Sequence, residues 1–359
     1  MGYHLTSIRE GNMKKEFALG ALGLLCGTGS AMAQSNVTIY GVLDTYMAYT
    51  NATGKGSVVS MDGGGYQANR IGFRGTEDLG GGLRANFQLE NGFLSDTGGL
   101  ADSTRLFNRQ SWIGLAGGFG EVRAGRQNSP GFLMTARLDA FAGATFASFL
   151  SNVTAYTPRY DNMIGYISPS MNGLKLQAYV GLGEQVAPRN GQNSYMFGAE
   201  YDSGPLSLSL NSSWQNSAND NQSIKSTFAG GAYDYGMGKV YLGYYRGNNL
   251  GAAAATNVAG VYYSAYSISA NYRVTAQGTL GAGYGWAKDS SGADRNARQF
   301  SLIGTYDLSK RTMLYSTYAH LSNKNGATFS LSGAGPITKN VPTAGGTVNG
   351  VQVGIRHLF

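Results

Sequence analysis

From Val348 to Phe359 apolar and polar side chains alternate, and a β-strand sends Val351, Val353, Ile355, His357 and Phe359 to one face and Gln352, Gly354, Arg356 and Leu358 to the other. The same period of two recurs upstream. Val37, Ile39, Gly41 and Leu43 alternate with Thr38, Tyr40, Val42 and Asp44, and Leu206, Leu208 and Leu210 alternate with Ser207, Ser209 and Asn211. Leu83, Ala85, Phe87 and Leu89 likewise face away from Arg84, Asn86, Gln88 and Glu90. Strands with one apolar face bury it in the core of a soluble sandwich, or turn it to lipid around a polar-lined barrel.

Turn signals divide these segments. Short ones fall at 78–82, 117–120, 168–173, 202–205, 236–238, 275–278 and 307–311; longer polar stretches fall at 50–66, 92–106, 127–159, 182–193, 215–223, 246–259, 288–297 and 322–347. Seven short and eight long connections alternate strictly and join sixteen strands. Tight turns at one end and long loops at the other are the habit of outer-membrane barrels. Tyrosines cluster near strand ends, at Tyr233/Tyr235, Tyr241/Tyr244/Tyr245, Tyr262/Tyr263/Tyr266 and Tyr315/Tyr318, and predict interfacial girdles.

The other end of the chain supports export. Met13, Lys14 and Lys15 precede an apolar stretch from Phe17 to Leu25 and the small-residue site Ala31-Met32-Ala33. That pattern describes a cleaved signal, too short to span a bilayer. Residues 1–33 are therefore expected to be an N-terminal extension plus signal, with Met13 as the initiator, and 34–359 the barrel. The single cysteine, Cys26, lies in the signal behind Leu25, where a lipid-attachment site would need a small residue. A mature chain without cysteine has no disulfides. With 55 Gly, 24 Tyr and 7 Pro, and no apolar run near 20 residues after the signal, a closed barrel is the remaining way to satisfy the backbone in lipid.

Five segments carry a family resemblance: Ser35–Asp44, Arg70–Leu79, Asn108–Leu115, Gly125–Gln127 and Gly354–Phe359. In order and in content they resemble the general diffusion porins of Gram-negative bacteria, of the β-proteobacterial type, over essentially all of 34–359. The resemblance implies an all-β fold, a 16-stranded antiparallel transmembrane β-barrel with its third loop folded inward. It further implies a homotrimer in the outer membrane, surrounded by lipid and passing small hydrophilic solutes and inorganic ions by passive diffusion. Phe359 is implied as part of the signal read by the outer-membrane assembly machinery. Where many porins carry Pro-Glu-Phe-Gly in that loop, this chain has Asp139-Ala-Phe-Ala-Gly143, with one carboxylate.

The loop 127–159 contains Phe132, Leu133, Met134, Phe141, Phe146, Phe149 and Leu150, too apolar for a loop in solvent. It is the candidate constriction; contact with a neighbouring subunit is the alternative. Parity turns Arg70, Arg74 and Arg84 away from Ile71, Phe73, Leu83 and Ala85. A lipid-facing guanidinium near midplane would cost about 2–4 kcal/mol, so these three face the lumen. Arg109 and Arg123 follow by the same alternation, with Arg126 at the loop junction. The carboxylates expected opposite them are few: Asp139 in the loop, with Glu90, Glu121 and Asp44 on the wall. Arg356 faces inward but is not expected at the constriction. Arginine clusters favour anions, and the arginines would also brace the wall through Glu90.

Net charge is +7, of which the signal region holds one, leaving +6 for the mature chain. Dispersed basic residues on an exported chain do not suggest nucleic-acid binding. Catalytic, cofactor and metal sites are not expected: after the signal only His320 and His357 remain, with no Gly-x-Ser-x-Gly elbow and no ligand-spaced cluster. A substrate-specific outer-membrane channel with a solute-binding pore stays open as the alternative function.

Overall fold

The computed structural model describes residues 36–154, 156–221, 223–248, 262–332 and 340–359; the expected signal segment 1–33 lies outside them. The strands are β1 (Asn36–Ala52), β2 (Gly56–Gly63), β3 (Arg70–Gly80), β4 (Leu83–Gly92), β5 (Gln110–Gly117) and β6 (Gly120–Asn128). After two short helices, α1 (Pro130–Thr135) and α2 (Phe149–Val153), come β7 (Arg159–Ile167), β8 (Leu174–Gly181), β9 (Ser194–Ser203), β10 (Leu206–Asn216) and β11 (Ser223–Asp234). The chain continues through β12 (Lys239–Gly247), β13 (Tyr263–Arg273), β14 (Gly278–Asp289), β15 (Ala297–Asp307), β16 (Thr312–Asn323) and β17 (Thr347–Leu358).

Neighbouring segments pair antiparallel, and β1 closes the ring on β17 from Val42–Leu358 to Ala52–Val348. Closure leaves no free edge, which a bilayer would not tolerate. β2 pairs with Thr45–Ala52 and β3 with Asn36–Val42 of the same strand, so together they fill one position, and the ring has sixteen. Alternation sets the faces as the sequence predicts. Val37, Ile39, Leu43 and Met47 are exposed on the outside, while Asp44, Tyr46 and Ala48 are buried.

Two expectations are corrected. The stretch 50–66 is not one long polar loop: β1 turns at residues 53–55, and β2 continues the wall with Val59 and Met61 outward. Only 64–69 leaves the wall. Its inward course is held by Asp44, whose carboxylate accepts the Tyr66 and Gln67 N–H groups at 2.8 and 2.7 Å and the Tyr315 hydroxyl at 2.7 Å. The tyrosine girdle is also partly interior. Tyr245, Tyr263 and Tyr315 are no more than 2% exposed, because adjacent strand residues take opposite faces. Tyr233, Tyr235 and Tyr318 do lie on the outside.

The connection from β6 to β7 packs on the inner wall. α1 lies against β9, β10 and β11, and α2 against β13, β14 and β15. Polar anchors fix it: Gln299 Nε2 donates to the Phe146 and Ala147 carbonyls at 3.1 and 3.0 Å, and Gln352 Oε1 accepts the Phe146 N–H at 2.9 Å. Gln299 and Gln352 have the polar-face parity of their strands, so the connection runs inside the barrel. Met134, Phe141, Phe146, Phe149 and Leu150 are buried there, each contributing about 1.5–3 kcal/mol.

Candidate functional site: an arginine-lined constriction

Between this inner connection and the wall lies a cavity of about 570 Å³. Arg70, Arg109, Arg159 and Arg356 line one side. Phe132, Leu133, Ala136, Ala142, Ala144 and Ser151 line the loop side, and among the described residues no carboxylate lines it at all.

The wall side is built on Glu90, which is 2% exposed. Arg109 Nε donates to its Oε1 at 2.5 Å, Arg70 Nη1 stands 3.9 Å from its Oε2, and the Tyr40 hydroxyl donates to Oε2 at 3.0 Å. Tyr40 and Glu90 sit two strands apart with Gly72 between them in register. A Cβ on Gly72 would fall 2.4 Å from the Tyr40 ring, so the missing side chain is what lets that ring cross.

Arg159 and Arg356 have no such partner. The Arg159 guanidinium lies 4.8 Å from the centre of the Phe132 ring, and that of Arg356 lies 5.4 Å from the centre of Tyr66. Neither forms a salt bridge among the described residues, and the Nε of each is buried without an acceptor. Cation–π contact holds such a charge in place without neutralising it.

The predicted arginines separate into three groups. Arg70 and Arg109 reach the cavity. Arg74 lies over Tyr40 at 5.2 Å, Arg123 pairs with Glu121 at 2.6 Å and stacks on Trp112 at 4.2 Å, and Arg84 is exposed toward the short-turn end, in register with Asp78. On the long-loop side, past a register shift between Gly125 and Gln127, Arg126 pairs with Asp161 at 2.6 Å. Arg105 of the 93–109 connection reaches both Asp161 and Asp102. Hydrogen bonds from Thr104, and then Arg105, hold the half-buried Asp102 carboxyl down at about 2.

Asp139 does not provide an acidic edge. It is 3% exposed, and its carboxylate is used within the loop, accepting from the Phe141 and Gly143 N–H groups and from the Ser148 hydroxyl. Burial pushes its pKa up despite those three donors. Arg356, which the sequence did not place at the constriction, lines this cavity because β17 joins β1 beside Asp44 and the inward 64–69 segment. Arg159 escaped the sequence argument because it follows Pro158 at the loop's return, where parity has no reference strand. Its signal was position: the first residue of the strand that closes the loop.

Comparison with known proteins bears on the family and the fold. A model of the Gram-negative porin family matches residues 18–326. The chain is 34% identical to outer membrane porin protein 32 of Delftia acidovorans, over 97% of this chain and 100% of that one. It is similar to the solved anion-selective porin from Comamonas acidovorans, with a TM-score of 0.78 and 30% identity over 91% of this chain and 100% of that one. The trimer form of the outer membrane protein OmpT from Vibrio cholerae shares the fold, with a TM-score of 0.67 and 16% identity over 90% of this chain and 99% of that one.

Proposed function

We propose, from the premise that the chain belongs to the Gram-negative porin family, that its passage favours anions among the small hydrophilic solutes and inorganic ions it admits. The protein is an integral outer-membrane barrel and a channel for passive diffusion; the family is one of channels, not enzymes. The observation that carries the selectivity is the constriction charge. Four arginines face a cavity that no carboxylate lines among the described residues; Glu90 is buried behind Arg109 and Arg70, and Asp44, opposite Arg356 in register, is buried against backbone amides of the 64–69 segment. Concentrated positive charge beside the passage lowers the energy of a passing anion and raises that of a cation.

The proposed constriction residues are Arg70, Arg109, Arg159 and Arg356. Glu90 positions the first two, and Arg74, Arg123 and Arg126 extend the basic wall on either side. Removal of 1–33 before insertion, assembly as a homotrimer and a role for Phe359 in recognition by the assembly machinery belong to the same proposal. The test is the reversal potential of the reconstituted protein across a KCl gradient in a planar bilayer. Preference for chloride supports the proposal and preference for potassium refutes it. Solute flux that falls smoothly with size supports the general pore, and saturable block by one solute supports a substrate-specific channel instead.

A further inference from the structure

A second basic cluster lies on the outside of the barrel. Lys225, Arg246, Lys288 and Arg298 are all exposed, each on the outward parity of its strand, at the long-loop ends of β11, β12, β14 and β15. Register links them into a band: Trp214 faces Lys225, Arg246 faces Ser264, Ser264 faces Lys288, and Trp286 faces Arg298. Among the described residues none of the four forms a salt bridge, and no undescribed residue after position 36 is an aspartate or glutamate. Lys225 and Arg246 also share a cavity of about 690 Å³ with Trp214 and the Thr227 side chain.

Charges on the lipid-facing parity are tolerated only near an interface. Trp286 stacks on its neighbour Tyr266 with ring centres 5.1 Å apart, forming part of the outward aromatic belt at that level. The four cations therefore stand at headgroup depth, unneutralised by the protein itself. A second copy of the chain presenting the same face would bring cations against cations. Phosphorylated headgroups bring the complementary charge and, with Thr227 and Ser264 between the cations, hydroxyl donors as well.

We propose that this band is a docking surface for phosphorylated lipid headgroups of the leaflet at the long-loop end. The test uses the full barrel reconstituted in phosphatidylcholine bilayers that contain either brominated phosphatidic acid or brominated phosphatidylcholine. Two of the chain's three tryptophans, Trp214 and Trp286, lie beside the band, whereas Trp112 is 8% exposed inside the barrel, so quenching reports the band. The expected result is a preference of about fivefold or more for the phosphatidic acid, the equivalent of at least one basic contact. The K225Q/R246Q/K288Q/R298Q variant should lose that preference with unitary conductance unchanged. If four changes prevent insertion, K225Q/R246Q should still reduce it. Equal quenching by the two lipids, or a preference that survives in the variant, overturns the proposal. Protection of both tryptophans from both lipids overturns it too, by showing that another chain covers the face.

Discussion

Arg159 and Arg356 offer the cleanest perturbation of the constriction, because neither holds a carboxylate that its removal would strand. The cavity volume of about 570 Å³ places an ion at its centre about 5 Å from the lining, where one unit charge is worth about 0.8 kcal/mol in bulk water and about 0.5 kcal/mol when 0.1 M salt screens it. Four guanidiniums against Glu90 and Asp44, which lies opposite Arg356 in register, leave two positive charges acting on that ion. Changing Arg159→Gln or Arg356→Gln removes one of them, weakening chloride and easing potassium by equal amounts. The chloride-to-potassium permeability ratio should then fall by about fivefold to fifteenfold per variant. Reversal potentials measured across a KCl gradient near 0.1 M give the ratio directly. In about 1 M salt the screening length shrinks to about 3 Å and most of the difference should vanish. An unchanged reversal potential in both variants at low salt would refute the electrostatic account. So would a change of the same size at both salt concentrations.

Other perturbations separate structure from selectivity. Glu90→Gln should raise anion preference and destabilise the wall by about 3–5 kcal/mol, since it leaves Arg109 buried beside a neutral group; the temperature at which the barrel unfolds in detergent reads this. Gln299→Leu removes the donor to the Phe146 and Ala147 carbonyls, leaving buried acceptors unpaired at about 1–3 kcal/mol each, and should appear as larger, noisier single-channel currents. Asp102 has a depressed pKa, so its contribution to ordering the 93–109 connection is present above the ordinary carboxylate range and is lost as pH falls toward about 2. Slow hydrogen exchange of the Thr104 amide, which donates to that carboxylate, should persist near pH 5 relative to the intrinsic rate and disappear near pH 2. A Cβ at Gly41 would fall 2.1 Å from the Phe359 ring, so Gly41→Ala should displace the terminal aromatic and slow barrel assembly in a refolding assay, with normal assembly counting against a packing role for that ring.

The fold was legible because its main rule is local. Period-two alternation fixes which side of each strand faces out, and Gly, Asn and Asp at the seven short turns mark where strands reverse. The same rule failed where composition and geometry parted. β2 reads as polar because its inward side chains are Ser60 and Asp62, although Val59 and Met61 keep the alternation. The site was only half legible for a different reason. Arg70 and Arg109 meet through neighbouring strands, within reach of parity reasoning. Arg356 meets them through the closure of β17 on β1, a contact between the two ends of the barrel, and Asp139 was removed from the pore by hydrogen bonds made within its own loop.

The constriction keeps its charge because its parts are anchored by groups that carry none. Gln299, Gln352 and Asn152 dock the inner loop through neutral amides, where carboxylates would have drawn arginines into pairs. Aromatic faces do the rest: Phe132 and Tyr66 support Arg159 and Arg356 while leaving the guanidinium charge uncompensated. Tyr66 is held in place for this by Asp44, whose carboxylate is spent on backbone amides of the 64–69 segment and on Tyr315. The acidic side chains nearest the passage, Asp44 and Glu90, are thus occupied in holding backbone or in bracing Arg109, and the four arginines at the cavity outnumber them. A loop that presented its carboxylate to the same arginines would set up a transverse field able to orient a dipolar solute; under the proposed function, this arrangement instead draws negative charge toward the arginines.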